Sequence, residues 1–145
     1  MESEGVTDFG RSIQELEECD WGEPEADATS MVQRCHALRR KPLRRLEPDE
    51  IGLAVRQRIG IPYILDFAVS VVREEPLFEG DFYPGDVLSA LLKLPEEDWV
   101  SRPALARDLE RILQRAIAEF ASKPEEDWEA FRSSLDLPDR GSSVH

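Results

Sequence analysis

Histidine and cysteine are scarce in this 145-residue chain, at two each. A hydrolytic triad needs an imidazole base, and the only candidates are His36 and the last residue, His145. Nucleophilic catalysis of that kind is therefore not expected. Cys19 and Cys35 are too few for a disulfide framework and suit a reducing compartment. With His36 they offer three metal ligands at most, and the helical neighbours Cys35 and His36 point ~100° apart. No metal site is expected. There is no glycine-rich phosphate loop, so no cofactor is expected either. The longest apolar stretch, 59–72, contains Pro62 and Asp66 and falls short of the ~20 residues a membrane-spanning helix needs. The opening Met-Glu-Ser-Glu-Gly does not resemble a leader peptide. A soluble, cytoplasmic, non-enzymatic protein is the expectation.

What the chain has in excess is negative charge: 31 Asp and Glu against 18 Lys and Arg, a net charge of −13. Such a surface repels phosphate backbones and anionic headgroups, which argues against nucleic acid and membrane and for a basic protein partner. The charge is unevenly laid out. Residues 1–30 carry ten acids and Arg11 alone, whereas residues 31–46 carry Arg34, Arg39, Arg40, Lys41, Arg44 and Arg45 and no acid. The basic block is expected to complement a helix C-terminus and to meet the acidic segment, not to bind nucleic acid.

No run of five or more residues alternates apolar and polar cleanly, and helical spacing recurs between turn signals. This predicts an all-α fold: one compact bundle of about six to seven helices over 13–136, with a flexible N-terminus at 1–12 and a disordered tail at 137–145. Ile13, Leu16 and Trp21 suit a short amphipathic turn or two, ended by Pro24. Met31, Cys35 and Leu38 form a stripe over about 28–40 that Pro42 ends. Pro48, Asp49 and Glu50 suit a helix start, with Ile51, Val55 and Ile59 as its face and Gly60 as its stop. After Pro62, the residues Ile64, Phe67, Ala68, Val71 and Val72 predict the central core helix. Leu77 to Gly85 reads as an ordered loop, and Pro84 and Asp86 open a helix carrying Val87, Leu88, Leu91 and Leu92. Pro103 starts the longest amphipathic stretch, through Leu109, Ile112, Ala116 and Phe120. Ser122 and Glu125 have capping-box spacing ahead of Trp128, Phe131 and Leu135. Pro-Glu-Glu-Asp-Trp occurs at 95–99 and again at 124–128, which reads as two similar helix starts and not a solenoid.

One ordered series of residues is more specific than any of these features. It runs Leu16-Glu17, Asp20-Trp21, Cys35, Leu38-Arg39, Lys41-Pro42-Leu43, Gln57, Ile59-Gly60-Ile61 and Tyr63-Ile64-Leu65. Glu75-Pro76-Leu77, Glu79 to Asp86, Leu88, Leu91-Leu92, Leu94 and Trp99 continue it. Over roughly residues 13 to 100 the chain resembles the immunity proteins of bacterial contact-dependent growth inhibition (CDI) systems, departing from their pattern at Pro62 and Asp66. The resemblance implies a small cytoplasmic antidote that neutralises the C-terminal domain of a cognate toxin without catalysis. The toxin is expected to be basic, a nuclease being one activity that fits.

The motif Asp81, Phe82, Tyr83, Pro84, Gly85, Asp86 is explicable as architecture and is expected to fix the junction between loop and helix. Partner binding is expected on Glu74, Glu75, Glu79, Glu96, Glu97 and Asp98, which compact packing would bring onto one rim. The alternative is a small acidic helical regulatory or adaptor protein docking a basic host protein. Neither reading sets the oligomeric state.

Overall fold

The chain enters its fold through a reciprocal cap. In the computed structural model, which describes residues 7–137, Ser12 Oγ accepts the amide of Glu15 at 3.1 Å, and Glu15 Oε1 accepts the amide of Ser12 at 2.8 Å. This satisfies two amides that a short helix would otherwise leave open. The helix so started, α1 (Ile13–Glu17), is followed by α2 (Ser30–Arg39), α3 (Pro48–Arg56), α4 (Tyr63–Glu74), α5 (Asp86–Leu92), α6 (Pro103–Phe120) and α7 (Glu129–Ser134). The fold is all-α, with seven helices and no strand among the described residues. An isolated antiparallel bridge joins Ser12 to Pro42.

The centre is α4, whose Ile64, Leu65, Phe67, Ala68, Val69 and Val72 are buried. It packs against α1, α3, α5 and α6, as expected for a helix that is apolar nearly all round. The α6 stripe of Leu109, Ile112, Ala116 and Phe120 is buried, and Phe120 stacks on Trp128 and tilts against Phe131. The repeated pentapeptide folds alike in both copies. Pro95 and Pro124 each precede a 3-10 turn, and each copy buries its tryptophan.

Three local expectations change. First, α3 stops at Arg56, not at Gly60. Arg58 and Gly60, both at positive φ, form the turn beyond it. Gly60 is required there, because a Cβ would lie 2.7 Å from the Ile13 side chain. Second, Ser122 Oγ donates to the Glu119 carbonyl, and one 3-10 turn follows Pro124 where a capping box would announce a regular helix. Third, Met31 is exposed, since α2 turns only Leu38 and Arg39 fully inward. Residues just before α1 also touch the body. Thr7 donates to Asp66, Phe9 meets Phe67 edge-on at 5.0 Å, and the Phe9 and Arg11 carbonyls accept the Arg44 and Leu43 amides. Leu137 donates its amide to Arg132. The rest of the expected tail, and residues 1–6, lie outside the described residues.

Candidate functional site

The loop from Leu77 to Gly85 is held by the residue that follows it. Asp86 opens α5, where the positive end of the helix dipole favours a carboxylate. Its side chain turns back onto the loop and accepts three amides: Gly80 at 2.6 Å, Asp81 at 2.9 Å and Phe82 at 2.7 Å. The residue is 4% exposed, so these are charge-assisted bonds shielded from water. Gly85 makes the turn at φ +85°, and a Cβ there would meet the Phe131 ring at 2.8 Å. Tyr83 donates its hydroxyl to Ser89 Oγ at 3.3 Å, and Ser89 is bonded in turn to Ser134 of α7 at 2.6 Å. The motif thus ties loop to helix, but not in the manner expected. Asp86 acts through the loop amides more than as a cap of its own helix. Asp81 is exposed, 4.0 Å from Arg56, and Phe82 projects outward with 62% of its surface exposed.

The loop forms a ridge between two hollows. On one side Glu75, Glu79, Glu119, Glu126 and Asp127 surround a groove of about 680 Å³, accompanied by Lys123 and floored by Leu77, Pro84 and Phe120. On the other side Phe82 and Tyr83 border a smaller hollow with Arg56, Arg58 and Lys93. The six acids expected on one rim are therefore divided. Glu75 and Glu79 share the groove, and Glu74 is exposed beside Glu75 at the end of α4. Glu96, Glu97 and Asp98 belong to a 3-10 turn that lines neither hollow. That turn rolls Asp98 inward with Trp99, leaving Asp98 8% exposed. Arg58 grips it at 2.9 Å and 2.6 Å and reaches Glu97 at 3.4 Å. The hydrogen bond and charge of Asp98, and then those of Glu97, hold the Arg58 guanidinium above its ordinary pKa. The carboxylate of Asp98 is thus committed inside the fold. Glu119, Glu126 and Asp127, which also line the groove, were not among the acids expected from the sequence. Glu126 and Asp127 lie in the second Pro-Glu-Glu-Asp-Trp copy, but nothing local shows that this copy faces the loop.

The basic block meets its acids as expected, though through two partners. Arg39 and Arg40 turn to the N-terminal segment: Arg39 to Glu17 at 2.5 Å, Arg40 to Glu23 at 3.2 Å and to Asp20 at 3.9 Å. Arg34 and Lys41 turn instead to α3, to Asp49 at 2.8 Å and Glu50 at 2.9 Å. The Glu50 hydrogen bond raises the pKa of Lys41. Burial raises that of the Cys35 thiol, against a smaller opposing effect of Arg34. Among the described residues no group of three or more His, Cys, Asp and Glu is placed to hold a metal ion. No helix there is long and apolar enough to cross a membrane.

Glu17, Trp21 and Arg39, separated in the series that carries the family resemblance, come together here, with the Arg39 guanidinium 4.2 Å from the Trp21 ring centroid. So do Glu79 to Asp86, as one clamped loop. No curated protein and no solved structure matches the chain. Residues 15–109, about two thirds of it, match the family model of the CDI immunity proteins. That span includes the acid–arginine–tryptophan cluster, the central helix and the whole clamped loop. The chain belongs to the CDI immunity proteins, a generally non-enzymatic family whose role is to neutralise a CDI toxin.

Proposed function

We propose that this chain acts in the cytoplasm by binding the C-terminal domain of its cognate toxin and covering the basic surface with which that domain engages its substrate, a nuclease cleft being the case that fits best. The groove beside the Leu77 to Gly85 loop carries this reading, because five carboxylates surround an apolar floor with one lysine among them. Glu74, Glu75 and Glu79 supply the contact together with Glu119, Glu126 and Asp127. Glu96 and Glu97 add long-range attraction. A net charge of −13 steers encounter with a basic partner, and the effect weakens as the Debye length falls from ~10 Å at 0.1 M salt to ~3 Å at 1 M.

The test is co-expression with the C-terminal domain of the toxin encoded beside this gene, followed by rate measurements at two salt concentrations. The parent is expected to protect cells and to form a complex. Reversing Glu75, Glu79 and Glu126 together to lysine is expected to slow association at low salt by about tenfold or more. Absence of both protection and complex would refute neutralisation and favour a regulatory protein docking a basic host partner. An association rate within about twofold of the parent would remove this groove from the interface.

A further inference from the structure

On the other flank of the loop lies a hollow of about 320 Å³ whose chemistry is opposite to that of the acidic surface around it. Phe82, Tyr83, Ala90, Leu94 and Pro95 give it apolar walls, and Arg56, Arg58 and Lys93 bring three cations to it. Two of those cations lack a close carboxylate. Arg56 has Asp81 no nearer than 4.0 Å, and among the described residues Lys93 has no ion pair. Asp86 also borders the hollow, but its oxygens are taken by the three loop amides.

Phe82 supplies an independent observation. The residue is 62% exposed, yet it is not loosely placed. Its amide is fixed by Asp86, and the Arg56 guanidinium lies over its face at 4.5 Å. Stacking occupies the face of a guanidinium and leaves its N–H edge available, in the fork geometry that matches a carboxylate. Side chains restrained in this way before binding lose little further freedom on binding. A rigid aromatic and an arginine beside an apolar hollow is the composition of an interface hot spot.

We infer that this hollow is the affinity site for the toxin domain, and that it receives a toxin segment carrying an aspartate or glutamate next to an apolar side chain. The carboxylate meets the Arg56 fork and Lys93. The apolar group packs against Phe82, Ala90 and Leu94. The inference rests on the reading that the toxin domain is the partner, and it divides the work between the two flanks of the loop. The acidic groove draws in and contacts the basic surface of the toxin domain, whereas the hollow recognises one of that protein's few acidic residues. Pairing through a minority charge discriminates among basic partners, which general attraction does not.

The test uses the full chain and the same toxin domain. Phe82→Ala is expected to raise the dissociation rate about thirtyfold, with association within about twofold of the parent. Its melting temperature should move little, because the residue is largely exposed and gives up only its contact with Arg56. Lys93→Gln, at an exposed position that does not threaten folding, is expected to give a smaller loss of about three- to tenfold. Each Asp and Glu of the toxin is then changed to Asn or Gln and paired with Arg56→Gln. One of them should weaken binding to the parent and have little effect on the variant. A parent complex whose dissociation is unmoved by Phe82→Ala and Lys93→Gln would overturn the inference and leave neutralisation standing. Coupling of Arg56 to no toxin carboxylate would overturn the proposed occupant. Self-association of the free protein that Phe82→Ala abolishes would assign the hollow to a second copy and overturn it too. No complex with the parent would overturn the proposed function itself.

Discussion

Arg39 of α2 and Glu17 of α1, 22 positions apart, meet at 2.5 Å with the arginine 1% exposed. The same guanidinium donates to the Cys19 carbonyl at 3.0 Å and lies over Trp21. Arg39→Ala is expected to cost about 2–3 kcal/mol in urea unfolding, because the packing of a fully buried arginine and its cation–π contact with Trp21 are lost together. Arg39→Lys should recover little of it, since an ammonium has no planar fork. Tryptophan emission provides a second readout. Trp99 and Trp128 are buried whereas Trp21 is 46% exposed, so a red shift in Arg39→Ala would report release of Trp21.

Asp66 stands in α4, where the surrounding pattern favours an apolar residue, and the fold explains it. Arg102, just before α6, grips it at 2.7 Å and 3.1 Å, and both side chains are 12% exposed. Asp66→Asn is expected to destabilise the protein by about 3 kcal/mol through the uncompensated arginine, whereas Asp66→Leu combined with Arg102→Met should restore only part of that loss, because the Thr7 hydroxyl then lacks its acceptor. Chemical denaturation of the single and double variants decides the point.

The two aspartates of the loop are expected to behave differently. Asp86→Ala leaves three amides without their acceptor and should cost about 3 kcal/mol, with faster hydrogen exchange at Gly80, Asp81 and Phe82. Asp81→Ala removes only an exposed carboxylate 4.0 Å from Arg56 and should stay within about 0.5 kcal/mol of the parent. Equal losses in the two variants would contradict the clamp.

Cys19 is exposed, and Cys35 is partly buried with its thiol pKa raised. A thiolate is the reacting species, so a raised pKa leaves Cys35 less ionised at neutral pH. A thiol reagent at pH 7 should modify Cys19 first. Modification of Cys35 should keep accelerating as pH rises beyond the ordinary thiol value of ~8.5. Peptide mapping after timed labelling distinguishes the two sites.

Sequence by itself determined the helical class, the positions of most helices and the family. Those properties are written in near neighbours: apolar residues three and four apart in α4 and α6, prolines at helix starts, and an ordered series of motif residues. It also held the Ser12–Glu15 cap, a local signal at the right spacing whose weight only the structure made plain. Which charges remain available was decided by tertiary structure alone. Asp98 reads like Glu96 and Glu97 until Arg58, 40 residues away, is seen to hold it inside. Glu119, Glu126 and Asp127 join Glu75 and Glu79 only because the end of α6 and the turn after Pro124 lie against the loop. Asp86 looks like a helix-start acid until its carboxylate is found on the loop amides. Helix spacing is set within one turn of the chain, whereas the neighbours of a charged side chain are set by which helix faces pack together, and that is a property of the whole bundle.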